Sequence, residues 1–338
     1  MYCMWLLVLC RRLLASQGAT SYSDVCRIAL GTPGMVVVEF SLIVTQASFS
    51  IAYILFIARN FEQITGIAQP LVVAMCMPLL FALCLFRHAK YLAPFAMFAE
   101  AVNLVGMAVV LTTDVKTMNV NHPDVVQANW PALPFITGVF LYCFEGMGMV
   151  LSLEANALHK QSFVPILTAV VTLYAVLCAA MGAMGYLAYG AATRDIVLLN
   201  MGNTPFTLVV KVSALRPATL TLVRAVMMVP IWEVLEPKCL HKPSSRGGRG
   251  LLRLTGVCLT GLIAAWVPSF SLFMGLIGSS CCSLLAFILP PLAYGQIVHA
   301  AGSRLEPWRR LLHAVIMGAG VLAGVTGTID AVRQLVKA

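Results

Sequence analysis

The sequence predicts an all-α polytopic membrane protein, and three observations carry that expectation. Of 338 residues, 60% are hydrophobic and only 10% charged, which lies outside the range of soluble domains. Mean hydropathy is +0.90. Apolar runs near the roughly 20 residues that a helix needs to cross a bilayer recur along the whole chain. They fall at 34–58, 66–86, 91–113, 133–152, 164–189, 206–235, 251–267, 270–294 and 311–332. Nine full spans are therefore expected, in a single membrane domain over 1–338, because the longest polar connections, 112–129 and 236–250, are too short for a soluble domain.

Taken in order, the stretch 1–9 is apolar but ends at Arg11 and Arg12 before it can cross. Residues 1–14 read either as part of a helix or as an interfacial anchor. A secretory signal would carry its charges ahead of the apolar run, and here they follow it. The first full span holds Glu39 about a turn inside its start, then Gln46, Ser50 and Tyr53. Offsets of four and three place those three residues on one helical face, a polar stripe turned toward the bundle. Glu100 lies in the third span.

The fourth span is the most informative, because Glu145 stands inside an otherwise apolar run. A carboxylate at the bilayer centre costs at least about 2.5 kcal/mol, so Glu145 must face a protein interior or a wet cavity. Gly146 and Gly148 beside it each weaken a helix by roughly 1 kcal/mol relative to alanine. A buried acid next to a breakable helix is the pattern of a transport site. Glu145 serves either gating and proton coupling or the capping of freed backbone N–H groups, and the two glycines serve either the break or helix packing.

The sixth span carries Arg216 and Arg224, which are expensive in lipid unless paired or snorkelling. Glu233, just after Pro230, is expected at the cytosolic mouth, paired with the basic loop. That loop, 236–250, contains KPSSRGGRG and reads as a flexible linker. Pro268 separates the seventh and eighth spans, and Ser279, Ser280 and Ser283 follow Gly278 in the eighth. Their hydroxyls bind either a ligand or the helix backbone.

The net charge of +9 reports topology and not nucleic-acid binding. Fourteen Lys and Arg residues fall in the connections 11–33, 87–90, 153–163, 236–253 and 295–310. The other side holds five, Arg59, Lys116, Arg194, Arg333 and Lys337. The positive-inside rule puts the first set in the cytosol. Lys238, Lys242, Arg246, Arg249 and Arg253 are also placed to touch anionic lipid.

The eleven cysteines form no CxxC pair and read as small buried hydrophobes. No histidine lies in the middle of a span, and phosphate loops, zinc motifs and nucleophile elbows are missing from the sequence. No catalytic residues, metal or cofactor are expected, and an enzyme would need more than Glu39, Glu100 and Glu145.

Four segments carry a resemblance: FLYCFEGMGMVLSLE from Phe140, GSSCCSLLAFILPPL from Gly278, RHAKYLAPFAMFAEAVNLV from Arg87 and VPIWEVLE from Val229. They resemble the amino acid/auxin permease family, most of all its vacuolar neutral and aromatic amino acid transporters and next its proton-coupled amino acid transporters. The resemblance covers nearly the whole chain in matching order. It implies a five-plus-five inverted-repeat permease that moves amino acids by alternating access, in symport or exchange with protons, in a vacuolar, lysosome-like or plasma membrane. It also implies that this chain begins late, with 1–14 matching the end of the family's second helix. The first helix and most of the second, including a Gly-rich substrate segment, are then missing.

The same resemblance places Phe144, Glu145, Gly146 and Gly148 at a substrate site, with Gln46, Ser50 and Tyr53 lining the cavity and Ser279 and Ser280 beside it. Glu100 falls where the vacuolar relatives carry an acidic residue. With Glu145 and Glu39 it forms the set of proton-pathway candidates. The partners expected are an amino acid, protons and the lipid bilayer. The alternative is a truncated, transport-incompetent derivative of such a permease.

Overall fold

The computed structural model describes residues 1–84, 93–121, 129–201, 231–232, 234–240 and 246–337, with 123 and 228. Arg216, Arg224, Pro230 and Glu233 lie outside the described residues. The regular structure of the described residues is helical throughout. The long helices are α1 Tyr2–Leu13, α2 Tyr22–Thr65, α3 Gln69–Cys84, α4 Ala93–Asn121, α5 Leu133–Cys143, α6 Met147–Asn156, α7 Phe163–Tyr189, α8 Arg246–Trp266, α9 Phe270–Ile277, α10 Leu289–Ala300 and α11 Pro307–Lys337. Six stretches of the described residues are long and apolar enough to cross a membrane: Tyr22–Thr65, Trp130–Asn156, Phe163–Ala192, Gly247–Trp266, Phe270–Ala300 and Pro307–Lys337. The protein is an integral, multi-pass membrane protein. Its surface agrees, with Leu71, Ile166, Leu173, Leu262 and Leu322 all exposed, as side chains solvated by lipid would be.

Helix boundaries depart from the apolar runs where polar residues continue a helix. α2 starts at Tyr22 and is kinked at Gly31, where φ 75 and ψ −167 need a residue without a Cβ and Pro33 follows. α4 runs past Thr113 to Asn121. α8 begins at Arg246, inside the stretch read as a flexible linker.

The described residues form two compact units, one comprising Met1–Thr45, Trp130–Ala175 and Ser271–Ala338 and the other Gln46–Asn129 and Val176–Phe270. In the first unit α1 is no interfacial anchor. Leu6, Leu7 and Cys10 are completely buried, in a core with Val25, Cys26, Met147, Leu151, Leu285 and Ala293. Its nine-residue apolar run is short for a bilayer but long enough to fill a protein interior.

Within this unit the chain from Ser271 to Ala300 is helical without a break, but passes through two π-helical segments, Gly278–Cys282 and Leu284–Ile288. Pro290 and Pro291 open α10 and donate no backbone hydrogen bond to the turn before them. Tyr22 donates its hydroxyl to the Leu285 carbonyl, 2.8 Å away, within that wide turn. Such π segments cost regularity and mark functional or closely packed places.

In the second unit Arg253 is buried rather than lipid-facing. Its guanidinium donates to Glu236 Oε1 at 2.8 and 2.6 Å and to the Cys84 carbonyl at 2.6 Å, and lies 6.0 Å from the Trp232 ring centroid. The basic loop thus pairs with Glu236 among the described residues. Hydrogen bonds to charged groups contribute about 1.5–3 kcal/mol, so Arg253→Met is expected to lower stability by roughly 2 kcal/mol. Thermal unfolding of purified protein checks this, with Arg253→Lys intermediate because it loses the planar fork.

Candidate functional site

The fourth span breaks where its sequence is weakest. α5 ends at Cys143, Phe144 adopts φ −96 and ψ 10, and α6 starts after Gly146 at φ −155 and ψ 4. Glu145 sits in the gap. Its Oε2 accepts a hydrogen bond from the Met147 amide at 2.8 Å, and the amides of Gly146 and Gly148 face the same carboxylate. Glu145 therefore caps the second half-helix, where the positive end of the backbone dipoles favours an anion. Its other oxygen, Oε1, is buried with no hydrogen-bond partner among the described residues. One half of the carboxylate is committed to structure and the other half is not.

The residues around the gap are apolar or aromatic. Phe144 stacks edge-on with Tyr174 at 5.3 Å between centroids. A Cβ added to Gly146 would meet only the Met4 methyl, at 3.7 Å, so packing does not require glycine there. Gly146 is a break residue more than a helix contact.

Ser279 and Ser280 are turned to their own helix. Ser279, fully buried, donates to the Gly275 carbonyl at 2.7 Å and lies 3.2 Å from the Thr328 hydroxyl on α11. Ser280 donates to the Leu276 carbonyl at 2.7 Å, and Ser283 to the Gly320 carbonyl at 2.6 Å. These hydroxyls satisfy backbone in and around the π segments. Around them the contacts are backbone to backbone: a Cβ on Gly278 would overlap the Gly138 carbonyl oxygen, and one on Gly327 would press on Pro134 and Ser279.

Glu39 is half-buried on α2 in the first unit. Gln46, Ser50, Tyr53 and Glu100 belong to the second unit. Gln46 and Ser50 are buried and Tyr53 half-buried, as the stripe predicts. Glu100 lies on α4, with its side chain outside the described residues. The Gln46 Oε1 atom is buried without a hydrogen-bond partner.

Three residues escaped the sequence reading. Asn60 continues the stripe: it is fully buried, its amide donates to the Phe56 carbonyl at 2.8 Å, and its Oδ1 has no partner. The Gln46 periodicity extended by two turns would have found it. Asp114 is fully buried on α4, facing Tyr189, with neither oxygen in hydrogen-bonding geometry with a donor among the described residues, although it falls one residue beyond the apolar run. His313 is buried near the start of α11, with Nε2 2.9 Å from the Tyr2 hydroxyl, and its place near the edge of an apolar run gave no signal.

A bundle of membrane helices with one span interrupted by a buried acid has the construction of a secondary transporter. The comparisons with known proteins define which kind. The family described as transmembrane amino acid transporter protein matches residues 1–331, and the chain belongs to it. Amino acid transporter AVT3A of Arabidopsis thaliana is 32% identical over 348 residues, covering 99% of this chain and 79% of that one. Amino acid transporter ANT1 of the same plant is 27% identical over 358 residues, covering 98% and 82%. Proton-coupled amino acid transporter-like protein pathetic of Drosophila melanogaster is 30% identical over 319 residues, covering 88% and 65%. The permease resemblance read from the four sequence segments is borne out.

Proposed function

We propose that this chain carries neutral amino acids, aromatic ones among them, across a vacuolar, lysosome-like or plasma membrane, coupled to protons, and that it is not an enzyme. The observation that supports this most is the divided role of Glu145. Its Oε2 keeps the helix break open by capping α6, while the buried Oε1 is left for a proton or for the ammonium group of a substrate. The Phe144 and Glu145 amides are bonded to the Phe140 and Tyr142 carbonyls, and the Gly146 carbonyl to the Met149 and Val150 amides, so at the gap it is the Glu145 carboxylate that supports contact with a substrate's amine. Phe144, Gly146 and Gly148 complete this site. Gln46, Ser50 and Tyr53, extended by Asn60, supply a second polar surface for substrate, and Glu39 and Glu100 are further proton-pathway candidates. Ser279 and Ser280 contribute by shaping the π segments, since their hydroxyls are spent on their own helix.

Glu145→Gln keeps an oxygen for the Met147 amide and removes the titrating charge. Loss of one charge-assisted contact, about 1.5–3 kcal/mol, predicts gradient-driven uptake lower by roughly 10- to 100-fold. The measurement is uptake of labelled leucine and phenylalanine into proteoliposomes with and without an imposed pH gradient. Uptake in Glu145→Gln equal to that of the unaltered protein would overturn the role of Glu145. Gradient-insensitive uptake by the unaltered protein would overturn proton coupling.

A further inference from the structure

We propose that Asp114 is a second proton-binding carboxyl group, on α4 and separate from Glu145, and that the Tyr189 hydroxyl is its hydrogen-bonding neighbour. This rests on the proton-coupled reading above and adds a residue to it. Asp114 is completely buried, and neither carboxylate oxygen meets a donor in hydrogen-bonding geometry among the described residues. A carboxylate buried with a single phenol facing it loses its hydration with little replacement, which favours the neutral acid. Among the described residues, no ion pair neutralises it. Gly185 brings α7 so close that a Cβ there would stand 3.8 Å from Asp114 Oδ2 and from Val197. Beyond it lies an apolar cluster of Val110, Ile196, Leu198 and Met201.

The charged groups of the surrounding elements are engaged elsewhere or point outward. Arg59 pairs with Glu62 at 3.9 Å and donates to the Pro268 carbonyl. Asp195 accepts from Ser269 at 2.9 Å, and Lys116 and Arg194 are exposed. Tyr189 is the titratable neighbour that faces Asp114, and Thr117 faces Tyr189 in turn. A bound metal cation would need several oxygen ligands, whereas a single carboxyl with one phenol suits a proton. Asp114 stands two turns before the end of α4 at Asn121. By the distribution of basic loops that end opens to the non-cytosolic side, and so Asp114 is placed to take protons from there.

The test is infrared difference spectroscopy of the full chain in proteoliposomes over a pH titration without amino acid, together with the pH profile of uptake. Beside any band of Glu145, a protonated-carboxyl band is expected in the unaltered protein that is lost in Asp114→Asn and retained in Glu145→Gln. Uptake by Asp114→Asn is expected to lose its dependence on the pH of the non-cytosolic side. In Tyr189→Phe the band should persist but shift, a change that needs no loss of fold and that stands in if Asp114→Asn does not assemble. A band unchanged in Asp114→Asn, an unshifted band in Tyr189→Phe, or an Asp114→Asn uptake profile like that of the unaltered protein would each overturn the proposal. The titration is read without transport, so it separates failure of Asp114 from failure of the transport reading, which shows instead as gradient-insensitive uptake by the unaltered protein.

Discussion

Replacing Glu154 with alanine is expected to cost about 3–5 kcal/mol of stability, because it strands buried positive charge. Glu154 is 1% exposed. Its Oε2 is paired with Arg11, and its Oε1 accepts from Arg12 Nε at 3.1 Å. Arg12 also donates to the Lys160 carbonyl at 2.8 Å. The Arg11 side chain is 15% exposed and that of Arg12 44%, so Arg12 can turn to water when its partner is lost while Arg11 cannot. The expected order of damage is therefore Glu154→Ala, then Arg11→Ala, then Arg12→Ala. Melting of the purified protein in detergent measures it, and equal losses for the two arginines would sink this account. The effect is expected to reach the helix break at Glu145 because α6 has only 10 residues. A helix that short is marginal alone, and it is held by the Glu145 cap at one end and by this ion cluster at the other.

Gly278→Ala is the second large effect. The added Cβ would overlap the Gly138 carbonyl oxygen and crowd Tyr142. Overpacking commonly costs 1–3 kcal/mol, and about the upper end or more is expected here, since backbone cannot rotate away as a side chain does. Gly106→Ala is the control. It has open space around it on α4, and alanine is favoured over glycine in a helix by about 1 kcal/mol. Expression and melting temperature should fall sharply in the first variant and hold or rise in the second. If both variants fall alike, glycine conformational freedom and not the close approach of α5 is responsible.

Much of this architecture was legible in the sequence because lipid imposes a simple rule of length and apolarity. The break at 144–146 was legible too, since an acid followed by two glycines cannot be a lipid-facing helix. What the rule misses is burial decided by tertiary contacts. Residues 1–9 are too short to span, which leaves an interfacial anchor open beside part of a helix, and only their neighbours show them to be core. Asp114 lay one residue past an apolar run, where a hydropathy boundary turns polar while the helix continues. The hydroxyls of Thr113 and Thr117 bond to carbonyls four residues back, each at 2.9 Å, so a run of polar residues stays helical. The flexible-linker reading of Arg246–Gly250 failed in the same way. Among the described residues Glu236 pairs with Arg253, beside Trp232, a contact set by packing that no sequence pattern announced; Glu233 lies outside the described residues.

The glycine contacts linking α5, the Gly278 segment and α11 have a kinematic consequence. Two helices that touch through side chains can slide, because rotamers absorb the movement. Here peptide groups rest on peptide groups, and a shift of a single residue would drive a Cβ into a carbonyl. These three elements therefore travel as one piece. The interlock ends at the three-residue gap from Phe144 to Gly146, where the helix is already broken, so rocking or tilting is expected to be taken up there, beside the Glu145 carboxylate.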